Sequence, residues 1–290
     1  MAHHHGTTGS WEFFVLLALA IVSLCLVYLR GWWRLHPKLT KLPIWRAGCF
    51  LSGLLLIWVA IASAIAGLDH ELLTVHMMQH LLLMTLAPPL IWLGEPALVL
   101  SHGLSEQFVE TYIYPLFHQR SVRRLSKVFV APKFALFTAS AVLLGWHIPP
   151  IFSLAMSSGE WHAIALATFL ITGLLFWWPV VQPWPSVHKP ELSIILYLFF
   201  ATLPCDILSG FLVFCDRVVY PSYFSSSHLF GFSALGDQQC AAALMWTCVT
   251  VVYLLAGAVL TMRLLSTNHY EHEIAGTAAQ QSVSQRLEVA

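Results

Sequence analysis

The sequence predicts an all-α membrane protein: a bundle of seven transmembrane helices with its N-terminus outside and its C-terminus in the cytoplasm. Mean hydropathy is +0.73, only 14 basic and 14 acidic residues occur among 290, and long apolar stretches carry no charge. A soluble protein of this size would need far more polar surface. We therefore expect membrane lipid to surround the chain, and the net charge of zero gives no reason to expect a nucleic acid as partner.

Seven apolar stretches follow one another, each close to the ~20 residues that a helix needs to cross a ~30 Å hydrocarbon layer. They cover about residues 11–29, 45–66, 72–93, 132–149, 161–179, 191–213 and 239–263. Proline or glycine lies near most of their ends, where it terminates a helix at low cost. We expect an outer N-terminal tail (1–10), a seven-helix domain (11–266) and a polar, disordered cytoplasmic tail (267–290).

The basic residues are divided unequally between the two sides of this bundle. With the N-terminus outside, 13 of the 14 Lys and Arg residues face the cytoplasm, and only Arg217 lies outside. Such an excess is typical of cytoplasmic loops. No basic region precedes the first span, whereas Arg30 and Arg34 follow it, which favours a retained helix over a cleaved signal peptide.

Residues able to bind a metal are concentrated in the outer half of the predicted bundle. His76 and His80 lie one helical turn apart on one face of the third span. The other candidates are Asp69 before the third span, His147 and His162 at the outer ends of the fourth and fifth, Asp206 inside the sixth, and Asp237, Gln238 and Gln239 at the start of the seventh. A polar group in lipid is costly without a partner, so these residues are functional candidates.

Copper is the metal that this set of residue types favours. Two imidazoles on one helix face can bind a single small ion, although they can equally hydrogen-bond neighbouring helices. Met78 and Met245 could add thioether ligands, and thioether with imidazole suits Cu(I). We expect His147 and His162 to complete the site. The polar residues expected to surround and orient the ligands are Asp69, Asp206, Asp237, Gln238 and Gln239.

Several of these residues have simpler interpretations. Methionine in a membrane helix most often only packs, Asp237 could cap the seventh helix, and Asp206 could be a protonated packing residue. The Pro88-Pro89 pair removes two backbone donors and predicts a kink or an end in the third helix. Cys215 and Cys240 flank the outer loop and could form a disulfide there.

Haem is the alternative cofactor, in a protein resembling a membrane cytochrome b. Haem needs axial histidines from both faces of the porphyrin. His76 and His80 project to one side and cannot supply both, but either one opposite His147 or His162 could. A retinal protein is excluded because the seventh span has no lysine for a Schiff base. A transporter would place polar groups through the whole membrane thickness and show broken helices in related halves, and we recognise neither feature in the sequence.

Six stretches resemble the signature sequences of the CtaG family of bacterial cytochrome c oxidase assembly factors, which serve caa3-type oxidases. They are LPIWR (42–46), HMMQHLLLMTLAPPLIWLGEP (76–96), WHIPP (146–150), GLLFWWPVVQP (173–183), VVYPSY (218–223) and LGDQQCAAALMW (235–246). The resemblance covers about residues 42–263. After His162 the sequence departs from the family, since Ala165 and Leu166 replace a further Glu-His pair, and this leaves His76, His80, His147 and His162 as candidate imidazoles.

The resemblance implies a multi-pass protein of the bacterial cytoplasmic membrane that acts as an assembly factor and not as an enzyme. It further implies a part in delivering copper, and we expect Cu(I) to pass to a nascent oxidase subunit, subunit I or II. A metal-free scaffold for oxidase assembly is a second alternative.

Overall fold

The computed structural model describes residues 8–35, 43–181, 192–224, 231 and 233–288. Within these ranges every regular element is helical, which confirms the predicted all-α class. The α-helices are α1 Thr8–Leu35, α2 Trp45–Ala62, α3 Leu73–Leu81, α4 Ala87–Leu93, α5 Pro96–Gly103, α6 Glu106–Phe108, α7 Tyr114–His118, α8 Arg120–Phe129, α9 Pro132–Trp146, α10 Pro149–Ser157, α11 Gly159–Val181, α12 Leu192–Phe214 and α13 Ala234–Glu288. Short π-helices cover Leu82–Leu86 and Val109–Ile113, and short 3-10 helices cover Ala66–Leu68 and Pro221–Tyr223.

Five helical segments are each long and apolar enough to cross a membrane. They are Glu12–Leu35, Trp45–Leu68, Gly159–Val181, Leu192–Phe214 and Ala234–Ser266. Two further candidates are bent pairs: Leu73–Leu93 with Pro96–Gly103 at 62°, and Pro132–Trp146 with Pro149–Ser157 at 78°. Counting each pair as one span gives the seven that the sequence predicts.

The two predicted tails can be compared with the structure only in part. Most of the predicted outer tail, residues 1–7, lies outside the described residues. The backbone of α13 continues to Glu288 and so enters the polar segment 267–290. The orientation of the termini and the division of the chain into tails and a helical domain stay predictions.

The third span does not end at the Pro88-Pro89 pair; its helix widens into a π-helix just before the two prolines. Because Pro88 has no N–H, the carbonyl of Met84 loses its helical donor. The chain forms the π-helix Leu82–Leu86 at this point, and the Trp177 indole of α11 donates to the Met84 carbonyl at 3.1 Å. The prolines then occupy the first turn of α4, where a missing N–H costs little.

The bend between α4 and α5 is fixed by the backbone at Gly94 and Glu95. Glu95 adopts a left-handed conformation with φ 51°, and Pro96 disfavours a right-handed helical conformation in the residue before it. The Tyr28 hydroxyl of α1 donates to the Gly94 carbonyl at 2.7 Å, and Arg46 of α2 forms an ion pair with Glu95. The bend therefore ties α1 and α2 to the third span.

Glycines permit a close contact between α1 and α5. A Cβ added at Gly31 would lie 1.9 Å from the Val99 carbonyl oxygen, and one added at Gly103 would lie 2.0 Å from the Val27 carbonyl oxygen. Both neighbours are backbone atoms, which cannot turn away as a flexible side chain can. A residue larger than glycine is therefore excluded at both positions as long as the two helices keep this distance.

We expect Gly31→Ala to force α1 away from α5 and to lower the free energy of unfolding by about 1–3 kcal/mol. Gly48→Ala in α2 is the matched control, because a Cβ there meets nothing within 4 Å. Thermal unfolding of both variants in detergent measures the difference. Equal midpoints for the two would contradict the close crossing.

Candidate metal centre

The helix that carries the paired histidines is capped by a residue from the far end of the chain. Leu72, at the N-cap of α3, has no side-chain oxygen to bind the first N–H groups. Asp237 of α13 does this instead: its Oδ2 accepts from the Leu73 N–H at 2.6 Å, and its Oδ1 accepts from the Thr74 N–H at 3.1 Å and the Thr74 hydroxyl at 2.6 Å. Asp237 thus caps α3, the helix that carries the histidines. The sequence analysis suggested instead that Asp237 caps its own helix, α13.

His76 and His80 form a buried imidazole pair one turn inside α3. Their Nε2 atoms are 2.7 Å apart, a distance at which one neutral ring donates its proton to the other. The His76 ring also contacts Phe152 and the His80 ring contacts Phe169, with centroids 5.0 and 3.9 Å apart. Neither Nδ1 atom has a hydrogen-bond partner among the described residues. The pair is therefore buried, and only part of its hydrogen-bonding capacity is used.

Asp69, His76 and His162 bring three ligand atoms to one point, and we name these residues the outer cluster. All three are buried, and one ligand atom of each lies within 4.8 Å of the other two. The Asp69 Oδ2 is 3.0 Å from the His162 Nε2, and the rings of His76 and His162 are 5.5 Å apart. The sequence placed Asp69 around the candidate ligands, whereas the structure groups it with two of them, His76 and His162.

Asp69 lies in the turn before α3, and its surroundings keep its carboxylate charged. Burial raises the pKa of Asp69, but the His162 ring, with its Nε2 3.0 Å from the Asp69 Oδ2, and the charges of the neighbouring histidine rings outweigh burial, so the net pKa lies below the usual value. The resulting stabilisation is present above the ordinary aspartate pKa and is lost as the pH falls through the lowered one. At neutral pH the outer cluster therefore contains a full negative charge.

His147 lies directly after α9 and faces a thioether. Its Nδ1 is 2.6 Å from the Leu143 carbonyl oxygen, which can only accept, so Nδ1 carries the proton and Nε2 keeps a lone pair. That Nε2 is 3.2 Å from the Met77 sulfur, and the His80 ring is 5.8 Å away. Imidazole and thioether with a free lone pair are donors suited to Cu(I).

Met77, and not Met78, therefore supplies the thioether next to an imidazole. Met77 is fully buried, whereas Met78 is half-buried and packs against the apolar core. The spacing of Met77 and His80, three residues apart on one face of a helix, is a signal in the sequence that points to Met77.

Among the described residues, the remaining predicted residues form no hydrogen bond with an imidazole. Gln238 holds the segment after α12, because its Oε1 accepts from the Val219 N–H at 2.7 Å and its Nε2 donates to the Arg217 carbonyl at 3.1 Å. Gln239 and Asp206 are half-buried, and the Asp206 Oδ1 is buried with no hydrogen-bond partner among the described residues. Met245 is buried beside a cavity further along the bundle.

Three aromatic residues that the sequence analysis did not single out cover the histidines at the predicted outer end, and we name them the roof. The Phe152 ring of α10 lies 4.1 Å from the Tyr220 ring and 6.1 Å from the Tyr223 ring. The Tyr220 hydroxyl donates to the His147 carbonyl at 3.1 Å, and the Tyr223 hydroxyl donates to the Asp69 carbonyl at 2.6 Å. The roof therefore fixes two candidate ligands through their main chains.

His70 connects the buried groups to the surface. Its side chain is exposed, with its Nε2 3.9 Å from the Asp69 Oδ1 and its ring 5.7 Å from the His162 ring. Cys215 and Cys240, the proposed disulfide partners, are both free thiols. The predicted disulfide is therefore absent from the structure.

Comparison with known proteins gives one family match and three relatives. A family model described as cytochrome c oxidase caa3 assembly factor (Caa3_CtaG) matches residues 26–267. Uncharacterized proteins of Mycobacterium bovis and Mycobacterium tuberculosis are each 24% identical over 245 residues, which cover 82% of this chain and 36% of each relative. An uncharacterized protein of Mycobacterium leprae is 22% identical, over 82% of this chain and 37% of its own. The chain thus spans about a third of the length of these relatives, and no solved structure matches it.

Proposed function

The chain belongs to the cytochrome c oxidase caa3 assembly factor family, and from this premise we propose that it binds Cu(I) and delivers it to a nascent oxidase subunit, subunit I or II. It is a multi-pass bacterial membrane protein that assists assembly without turning over a substrate. The observation that carries the copper proposal is the outer cluster, in which a carboxylate and two imidazoles converge inside the bundle.

The chemistry of the donors supports a bound cation. The charged Asp69 offsets the positive charge of an ion in a site with little water, and the His76 and His162 nitrogens act as ligands. The close pair His76 and His80, with Nε2 atoms 2.7 Å apart, offers a second imidazole to an ion that leaves the first. Ligands can then be replaced one at a time, as transfer requires.

The haem alternative receives less support from the same distances. Iron binds the Nε2 or Nδ1 atom of an axial histidine, so that atom needs free space in front of it. The Nε2 atoms of His76 and His80 face each other, the His147 Nε2 faces Met77, and the His147 Nδ1 faces the Leu143 carbonyl. A haem bound through any of these four atoms would have to displace its present contact.

The test is the amount of Cu(I) that the purified chain retains under reducing conditions. We expect the His76→Ala/His162→Ala variant to lose at least one equivalent that the wild type retains. His102→Ala is the matched control, because the His102 side chain is exposed and its Nδ1 contacts only Ser101 and Leu98 of its own helix among the described residues. Equal copper in the double variant and the wild type would reject the outer cluster as the site.

The same variants distinguish delivery from a metal-free scaffold. In cells that lack the wild-type gene, a copper-delivery protein with its cluster removed is expected to give low oxidase activity that added copper partly restores. A scaffold would give full oxidase activity with the His76→Ala/His162→Ala variant, provided that the variant accumulates in the membrane to the normal level.

A further inference from the structure

A second group of soft donors surrounds a cavity beyond the imidazole pair, on the side away from Asp69. His80, Met84, Cys205 and Met245 line it together with Phe169 and Val249. We name the first four the sulfur cavity. Met84 lies in the π-helix one turn after His80, Cys205 lies in α12 after Pro204, and Met245 lies in α13 two turns after Asp237. Three separate helical segments thus place two methionines, a cysteine and a histidine around one cavity.

The polar atoms of the sulfur cavity have few partners of their own. The Cys205 sulfur lies 3.8 Å from the Ser209 hydroxyl and 4.0 Å from the Met245 carbonyl oxygen, which are weak contacts. The His80 Nδ1 is buried with no hydrogen-bond partner among the described residues, and His80 is only 4% exposed. A buried nitrogen without a partner is unfavourable, and a cation bound to the His80 Nδ1 would supply the missing interaction.

We propose that the sulfur cavity is a second binding site, selective for a soft monovalent cation, Cu(I) or Ag(I). The proposal deepens the proposed function, because the two sites would hold the same ion in succession. The Nε2 atoms of His76 and His80 are 2.7 Å apart, so the ion passes from the outer cluster to the sulfur cavity by exchanging one imidazole for the next. No electron is transferred in this exchange.

The composition of the cavity decides which ions it accepts. Thioether, thiol and imidazole are preferred ligands of Cu(I), whereas Mg²⁺ and Ca²⁺ require several oxygen ligands. No carboxylate lines the cavity among the described residues, so a divalent ion would remain largely uncompensated in a low-dielectric site. When Cu(I) binds the Cys205 sulfur, the S–H bond breaks, the proton leaves to solvent, and the ion and the thiolate form a neutral pair.

The contrast between the two sites gives the transfer a direction. The outer cluster combines an oxygen and two nitrogens, whereas the sulfur cavity combines one nitrogen with three sulfurs. Because Cu(I) prefers sulfur to carboxylate oxygen, the ion rests in the sulfur cavity and the outer cluster receives it first.

The experiment uses the full-length chain loaded with Cu(I) in detergent and measures X-ray absorption at the copper edge. Sulfur scattering is expected in the wild type and in the His162→Ala variant. It is expected to be lost, together with one equivalent of bound copper, in Cys205→Ser/Met245→Leu. Cys240→Ser/Met262→Leu is the matched control, since both residues are exposed on α13.

The possible outcomes separate this proposal from the proposed function. Loaded wild type without sulfur scattering, or a Cys205→Ser/Met245→Leu variant that binds as much copper as the control, would overturn the second site. If the His76→Ala/His162→Ala variant loses copper and the Cys205→Ser/Met245→Leu variant does not, the outer cluster is supported and the sulfur cavity is rejected. Ag(I) titration of folded Met84→Leu, a milder change, is expected to show weaker binding, and equal binding with the wild type counts against the site. Displacement of bound Ag(I) or Cu(I) by excess Zn²⁺ would also contradict the proposed selectivity of the sulfur cavity.

Discussion

Asp69→Asn is expected to weaken Cu(I) binding at the outer cluster by about 10- to 100-fold, the range found when groups around a metal are removed. Asparagine has nearly the same shape, so the hydrogen bond of Tyr223 to the main-chain carbonyl of residue 69 is kept. The negative charge beside His162, with Oδ2 and Nε2 3.0 Å apart, is lost. Carboxylate oxygen is a poor ligand for Cu(I), and the effect therefore comes mainly from charge compensation in a buried site.

Competition against a Cu(I) chelator of known affinity measures this change. Asp216→Asn is the matched control: it removes the same charge from an exposed position after α12, where screening by water leaves little effect. At neutral pH Asp69→Asn is expected to unfold at a lower temperature than Asp216→Asn, because it also loses the stabilisation that the charged Asp69 contributes. Unchanged copper affinity in Asp69→Asn would mean that Asp69 only positions the turn before α3.

Asp237→Ala is expected to lower the free energy of unfolding by about 3 kcal/mol, because it combines the loss of a helix cap with that of a buried acceptor. The N–H groups of Leu73 and Thr74 and the Thr74 hydroxyl all donate to this carboxylate, and water does not reach the site easily. The first turn of α3 should then fray, and the His76 ring that follows it should move. Copper binding is expected to weaken as a secondary effect.

Hydrogen exchange of the Leu73 and Thr74 amides, measured with thermal unfolding, tests the cap directly. Faster exchange at these two amides and a lower midpoint are expected in Asp237→Ala. Gln239→Ala is the neighbouring control, since Gln239 is half-buried, and it should change neither quantity by much. If Asp237→Ala weakened copper binding with unchanged exchange, the carboxylate would act on the ligands and not on the helix.

The class of fold followed from the sequence because hydrophobic length is a local property. Each apolar stretch could be recognised without its neighbours, whereas the bends before Pro96 and Pro149 were not predicted. The course of the third span was harder to predict from the sequence. Proline predicts that a donor is missing, but whether a helix ends or widens there depends on other groups, here the indole of Trp177 on the Met84 carbonyl.

The sequence singled out the residue types of the candidate site, but it showed few of the contacts between these residues. The spacing of His76 and His80 fixed their common face, since four residues make about one turn. The cap formed by Asp237 joins positions 164 residues apart, and no local pattern contains that information. The place of Asp69 among the ligands likewise depends on the turn after Ala66–Leu68.

The π-helix Leu82–Leu86 is an α-helix that contains one residue more than its hydrogen-bond pattern needs. Such a segment is a natural site for a change in chain length: removing a single residue there would restore regular winding, with His76 and His80 on one side and α4 on the other still able to keep their neighbours. Relatives of this chain that differ by one residue in the third span are therefore expected to carry the insertion or deletion within these five positions and not elsewhere in the helix.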